Sequence, residues 1–255
     1  MKTSRTFISA LLTEAVGVLV ILAVWGGVSF FYPSYIIPSP VETLSGISSA
    51  LPADLLGHLM ITLYRVILGF FIAFVLGTVG GILAAIVRAD KPVNSLMVAL
   101  QVVPGTILGV IFLLMFGIGS ATPILLVAFL TLPTLAINTI NGLSKRNTAS
   151  ENYLRSIHAS KWQIVRYSFL PALVPVLQSN LSLGISMAVK VVVLGEFIGS
   201  QDGLGYLLNH ARIVFDMKEV FFYLLILMAF SLAFQAIQSL IFTISFKKYA
   251  YPEAV

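Results

Sequence analysis

The chain has no cysteine and few charges, and each scarcity removes a class of function. Without cysteine there are no disulfides and no thiol chemistry, and no redox compartment can be inferred. Charged residues make up only 10 % of the 255, against roughly 25 % in soluble domains. The three histidines, His58, His158 and His210, are dispersed and make no metal-ligand spacing with one another. No lysine follows a glycine, so a phosphate loop ending in Gly-Lys-Ser or Gly-Lys-Thr is impossible. No Ser, His and Asp arrangement stands out, and carboxylates within apolar runs are too few for a paired-aspartate protease. We therefore assign no catalytic residue, no metal site and no cofactor to this chain, and expect it not to be an enzyme.

What is abundant is apolar sequence: 58 % hydrophobic residues and a mean hydropathy of +1.01. A membrane span needs about 20 mostly apolar residues, and the chain supplies about six such runs. They fall near residues 7–31, 58–87, 93–116, 123–143, 172–198 and 219–246. The first, behind Lys2 and Arg5, is too long for a signal peptide and has no small-residue cleavage site before the polar segment. Alternation in segments of about ten residues, the mark of a membrane barrel, is absent. The expectation is an all-α, multi-pass membrane protein in one domain spanning 1–255.

The 15 Lys and Arg residues set the topology, because short cytoplasmic loops carry the excess. With the N-terminus inside, eleven of the 15 fall inside: Lys2, Arg5, Arg88, Lys91, Lys145, Arg146, Arg155, Lys161, Arg166, Lys247 and Lys248. Only Arg212 and Lys218 fall outside; Arg65 and Lys190 lie within spans. Both termini are thus expected on the cytoplasmic side. Basic residues beside spans argue for topology and against nucleic-acid binding.

The longest polar, basic interval, about 144–170, is also cytoplasmic by this count. Thr148-x-x-Glu151 and Ser160-x-x-Gln163 both fit capping boxes, in which a hydroxyl and a Glu or Gln satisfy the free N–H groups of a helix start. The first helix would carry Tyr153, Leu154 and Ile157 on one face. A second would begin at Ser160, carry Trp162, Val165 and Phe169, and stop before Pro171. Two short capped helices between spans suit a docking element; a solvated loop whose Lys and Arg set topology is the plainer alternative.

Ionisable residues inside spans are costly and mark function by default. Arg65 and Lys190 could form a cationic lining for an anionic solute, with Glu196 tuning it. Alternatively Arg65 or Lys190 pairs structurally with Glu196, or Arg65 snorkels to the outer surface. Glu14 is expected near the membrane interface. Gly69, Gly77, Gly80, Gly81, Ala84 and Ala85 suggest close helix packing rather than an oligomer signal. Pro104 and Pro133 should kink their helices, either lining a pore or as ordinary irregularities.

The stretch from Glu151 to Pro171 resembles the signature loop of the permease subunits of binding-protein-dependent ABC importers. That loop reads Glu-Ala-Ala, three residues, Gly, nine residues, Ile, one residue, Leu-Pro. Aligned on Leu170-Pro171, the Gly position is His158 and the Glu-Ala-Ala positions are Asn152, Tyr153 and Leu154, leaving Glu151 one residue out of register. Ala159-Ser160-Lys161-Trp162-Gln163 and Leu170-Pro171-Ala172-Leu173 are closer to the nitrate/sulfonate/taurine subgroup. So are Ile37-Pro38-Ser39-Pro40, Thr62-Leu63-x-Arg65-x-x-x-Gly69-Phe70, Phe116-Gly117-Ile118-Gly119, and Gly195-Glu196 with Gly203-Leu204-Gly205. The set covers most of the chain in the family's order.

The resemblance implies a type I ABC importer permease fold with a cytoplasmic coupling-helix loop, in a bacterial-type cytoplasmic (inner) membrane. It implies that Glu151, Asn152, Leu154, Ile157, His158, Ala159, Ser160, Trp162, Leu170 and Pro171 couple to a cytoplasmic ATPase subunit, which binds the ATP and Mg. A second permease copy, or a similar permease, would complete the pathway, with Arg65, Lys190 and Glu196 beside it. An external solute-binding protein would deliver a small solute, such as a sulfonate or nitrate. Without the usual Gly, the bend between the coupling helices is expected at Ala159-Ser160. A self-contained secondary transporter or channel is the alternative, although it would usually show inverted repeats.

Overall fold

A computed structural model describes the backbone of residues 2–45, 51–145 and 148–246, and the side chains of 16–45, 51–145 and 149–238. The Thr148 cap, Glu14, Lys2, Arg5, Arg146, Lys247 and Lys248 lie outside the described side chains. Among the described residues all regular structure is helical, as the composition predicts. In chain order the helices are α1 (Lys2–Ser29), α2 (Pro40–Ser45), α3 (Leu55–Ile86), α4 (Asp90–Gln101), α5 (Gly105–Phe116) and α6 (Ala121–Ser144). There follow α7 (Thr148–Ser156), α8 (Lys161–Ile164), a π-helical turn (Val165–Phe169), α9 (Leu170–Gly199), α10 (Leu204–Ile213) and α11 (Met217–Phe246).

Among the described residues four helical stretches are long and apolar enough to cross a membrane: Leu55–Ile86, Ala121–Ser144, Lys161–Gly199 and Met217–Gln238. The α4–α5 pair makes a fifth if counted as one span. The apolar Val16–Ser29 of α1 stands where the first of the six expected spans was read. The third expected span is broken at Pro104-Gly105, as its proline predicts: α4 and α5 meet at 84°. Pro104 is the cause: extended at φ −61°, ψ 129°, it ends one helix and caps the next. Pro133, by contrast, sits buried inside an uninterrupted α6.

The fifth span also begins earlier than expected. The short helix from Ser160 does not stop before Pro171 but runs through the π turn into α9, giving one stretch of 39 residues. A proline ring clashes with the carbonyl four residues back. Here the turn before it is widened: the Leu170 N–H donates to the Val165 carbonyl, five residues back.

Packing separates the chain into two compact units: Met1–Leu55 with Leu207–Leu227, and Leu56–Tyr206 with Met228–Val255. In the first unit, Trp25 stacks on Phe221 with ring centroids 5.1 Å apart, and its Nε1–H donates to the Pro38 carbonyl at 2.9 Å. Ser39 and Glu42 cap α2 reciprocally, Glu42 N–H to Ser39 Oγ at 3.2 Å and Ser39 N–H to Glu42 Oε2 at 2.9 Å. The Ser39 N–H holds the Glu42 carboxyl below its usual range. Ile37-Pro38-Ser39-Pro40 is therefore a helix start, with Pro40 at the first helical position.

The second unit is built around α6. A Cβ on Gly69 would stand 2.7 Å from Val127 Cβ, on Gly77 2.7 Å from the Leu132 carbonyl, and on Gly81 2.6 Å from Thr139 Cβ. These glycines let α3 and α6 touch backbone to backbone. On the other flank, Gly195 and Gly199 of α9 lie as close to Pro123 and Thr122. Val66, Leu126, Val127, Ala188, Val189 and Val192 fill the space between. Deeper in, fully buried Asn180 donates to Thr78 and Thr139 at 3.0 and 2.8 Å and accepts from Asn138 at 2.8 Å, tying α3, α6 and α9 together. Gly77→Val is expected to cost about 2–3 kcal/mol, because the obstruction is backbone that cannot step aside. A thermal melt of the purified chain measures it; an unshifted midpoint would show that α3 and α6 can separate freely.

Candidate functional site

The basic stretch folds as two short helices joined by a sharp bend. At Ser160 the second capping box forms as expected: its Oγ accepts from the Gln163 N–H at 3.3 Å, and the Gln163 side chain accepts from the Ser160 N–H at 2.7 Å. The bend lies one or two residues earlier than the sequence reading put it. His158 adopts φ +55°, the left-handed conformation that favours glycine, and it occupies the glycine position of the resembled motif. The Ala159 N–H donates to the Leu154 carbonyl at 2.9 Å and the His158 N–H to Arg155 at 3.1 Å, the paired closure that ends a helix at a left-handed residue. His158→Gly is thus expected to stabilise the stretch by up to about 1 kcal/mol, and the β-branched His158→Val to destabilise it by 1–2 kcal/mol. Thermal melts of the two variants should bracket the parent; the opposite order would refute the assignment.

Tyr153, Ile157 and Trp162 point into solvent, 66, 56 and 66 % exposed. Asn152, His158 and Ser160 are also exposed, while Leu154 and Ala159 are half-buried. Glu151 reaches along its own helix to Arg155 at 2.7 Å. Leu170 and Pro171 open α9, both exposed.

Near the far end of α9 a buried polar knot forms. Arg65 (1 % exposed) and Glu196 (0 %) pair at 2.9 Å. Every N–H of the guanidinium is engaged: Nε with Ser120 Oγ at 3.1 Å, Nη1 with Glu196 and the Asp202 carbonyl at 2.9 Å each, and Nη2 with Ser120 at 2.9 Å and with the Asp202 carboxylate. Glu196 also accepts from the Thr62 hydroxyl and from the Gly205 N–H, both at 2.9 Å. Thr62 in turn accepts from the Leu204 N–H at 2.9 Å, and His58 Nδ1 from the Gly203 N–H at 2.9 Å. Gly203, at φ +97°, has the Glu196 carboxylate where a Cβ would stand. Gly119 closes the set, donating to the Gly199 carbonyl at 2.9 Å. Of the two open pairings, the one with Arg65 is present; Thr62, Ser120 and Asp202 are partners the sequence reading missed.

Lys190 is not in the knot. It is exposed and lines a cleft with Ser186 of α9 and Ser231, Gln235 and Gln238 of α11. The α11 residues were also missed, although their i, i+4, i+7 spacing in an apolar helix is a legible signal.

Residues 77–244 match the family described as the inner membrane component of binding-protein-dependent transport systems. The chain is 29 % identical over 208 residues to the formylaminopyrimidine transport permease protein ThiX of Halalkalibacterium halodurans, covering 81 % of this chain and 83 % of that one. It is 30 % identical over 207 residues to the putative aliphatic sulfonates transport permease protein SsuC of Bacillus subtilis, covering 79 % and 75 %. In fold it is similar to a chain of the MetNI methionine ABC transporter in an inward-facing conformation, with a TM-score of 0.63 and 21 % identity, covering 75 % of this chain and 97 % of that chain. That likeness shows the type I importer permease fold. A self-contained transporter or channel does not fit these relatives. The chain belongs to the permeases of binding-protein-dependent ABC importers, as the transmembrane subunit of an ATP-driven importer whose ATPase activity lies in a separate subunit.

Proposed function

We propose that the chain acts as one permease domain and, with a second copy of itself, forms the pathway for a small anion across a bacterial-type cytoplasmic (inner) membrane. Both termini and the stretch about 144–170 face the cytoplasm. There the residues from Glu151 to Pro171 seat in a cytoplasmic ATPase subunit that holds ATP and Mg. An external solute-binding protein delivers the solute to the opposite face. The observation that carries the coupling is the exposure of Tyr153, Ile157 and Trp162 on a basic helix pair, the second helix capped at Ser160. A merely solvated loop has no need of three large apolar side chains in water.

Among the ionisable residues named from the sequence, the geometry favours a division of labour. Arg65 and Glu196 spend their hydrogen bonds on each other and on backbone, so they hold structure. Lys190 is the cation left for solute. A sulfonate, as in the name of one relative, suits a lone ammonium better than the neutral pyrimidine of the other.

The test is a mild-detergent pull-down of the tagged chain from its native membranes, with mass spectrometry of what stays bound. Retention of a subunit with a phosphate-binding loop, together with ATP hydrolysis, is expected. Recovery of the chain alone, without ATPase activity, would overturn the coupling. The solute held by a co-purifying binding protein identifies the cargo.

A further inference from the structure

We propose that the cleft between α9 and α11 is an oxyanion subsite, in which Lys190, Ser186, Ser231, Gln235 and Gln238 receive the sulfonate-like group of the transported solute. This rests on the transport reading above and adds the groups that would recognise the cargo.

Lys190 lies six residues, about 9 Å, before Glu196 along the helix and about 240° around it, and so on another face. Glu196 is already taken by Arg65. None of the ion pairs seen, Arg65 with Glu196, Arg65 with Asp202, and Arg155 with Glu151, takes Lys190. Snorkelling does not resolve this. The Lys190 position is about 14 Å from the Gly199 end of α9 and further from the Leu170 end, while a lysine stem reaches roughly 6 Å. An ammonium left in hydrocarbon at mid-span is costly. The group therefore faces water, a ligand or the second copy of the chain, and labelling by a water-soluble reagent separates the first two from the third.

Its neighbours fit that ligand. Ser186 sits one turn before Lys190 on the same face of α9. Ser231, Gln235 and Gln238 recur at i, i+4 and i+7, one stripe of α11, a helix that is otherwise apolar along this length. The cleft thus presents an ammonium, two hydroxyls and two carboxamides. All can donate, and the lining contains no carboxylate to repel an anion. Phe234 supplies an apolar side of the cleft.

The absence of cysteine makes the test direct. Ser231→Cys is introduced into the tagged chain, and the complex is purified with whatever subunits it retains. It is then treated with two water-soluble methanethiosulfonates, one carrying an ethanesulfonate and one a trimethylammonium. In each case the thiolate attacks the sulfenyl sulfur, a disulfide forms and methanesulfinate leaves. Labelling is read by intact mass of this chain. With each rate taken relative to a free thiol in solution, the sulfonate reagent is expected to react about tenfold faster than the ammonium one through the nearby charge. On the same scale, adding Lys190→Gln should bring the ratio close to one, and inorganic sulfate should slow the sulfonate reagent. No labelling by either reagent, with or without ATP, would overturn the proposal by showing the cleft sealed from water. A ratio indifferent to Lys190→Gln would overturn it too. Ser186→Cys repeats the measurement from the other helix if the first variant does not fold. Retention of the ATPase subunit in the same preparation reports separately on the importer reading. Failed labelling with the ATPase bound removes the subsite alone, and Lys190-dependent labelling supports the subsite whether or not the ATPase is retained.

Discussion

Glu196→Ala is expected to abolish accumulation of folded permease, or to lower its thermal midpoint further than any other single substitution considered. The change leaves the Arg65 guanidinium in a site 1 % exposed, with its other charged partner, Asp202, half in solvent. Breaking a buried pair from one side costs about 3–5 kcal/mol. A whole domain is stable by only about 5–15 kcal/mol. The loss extends beyond the charge, since Glu196 also fixes the Gly205 N–H and, through Thr62, the Leu204 N–H. Thr62→Val removes only that hydroxyl and should cost about 1–3 kcal/mol, enough to shift a melt while folded material still accumulates. Fluorescence-detected size exclusion after graded heating separates the two. Wild-type yield and midpoint in Glu196→Ala would show that the knot is dispensable.

The second large effect is expected outside the membrane. Trp162→Ala should release the ATPase subunit during purification while leaving the permease's own melt unchanged. The indole is 66 % exposed and the Ser160–Gln163 cap does not use it, so its removal costs the isolated chain little. At an interface, truncating a buried tryptophan anchor typically costs at least about 2 kcal/mol, roughly thirtyfold in dissociation constant. Ser160→Ala is the counterpart: it removes a cap worth about 1 kcal/mol and should weaken both the local helix and the attachment. Full ATPase retention and full coupling of hydrolysis in Trp162→Ala would place the contact elsewhere on the stretch.

What the sequence made legible was whatever is written locally. Apolar runs gave the spans, and a hydroxyl three residues before a glutamine gave the cap at Ser160. Beyond the Arg65–Glu196 pairing, offered by two charges inside apolar runs, the knot was not legible in this way, because its parts come from residues 58–65, 119–120 and 196–205, and no local period measures the distance between segments. Thr62-Leu63-x-Arg65, Phe116-Gly117-Ile118-Gly119 and Gly203-Leu204-Gly205 could be quoted only as scattered likenesses. In three dimensions they are the walls of one object. Two errors came from treating single residues as rules. Replacing glycine by His158 did not move the bend, because the backbone around it still demands a left-handed residue there. Pro171 did not end a helix, because one π-helical turn removed the clash that would have ended it.

The uninterrupted stretch from Lys161 to Gly199 has a mechanical consequence. Treated as a stiff rod, it places Trp162 about 51 Å from Glu196 and Lys190 about 9 Å from it. With the buried knot as fulcrum, a tilt of about 10° would carry the tryptophan end through roughly 9 Å and the lysine through less than about 2 Å. The rod is a reducing gear of about six to one by these lengths. If the coupling and subsite proposals hold, a broad stroke at the basic end would arrive at the cleft as a displacement of about one hydrogen-bond contact, enough to grip or release an oxyanion.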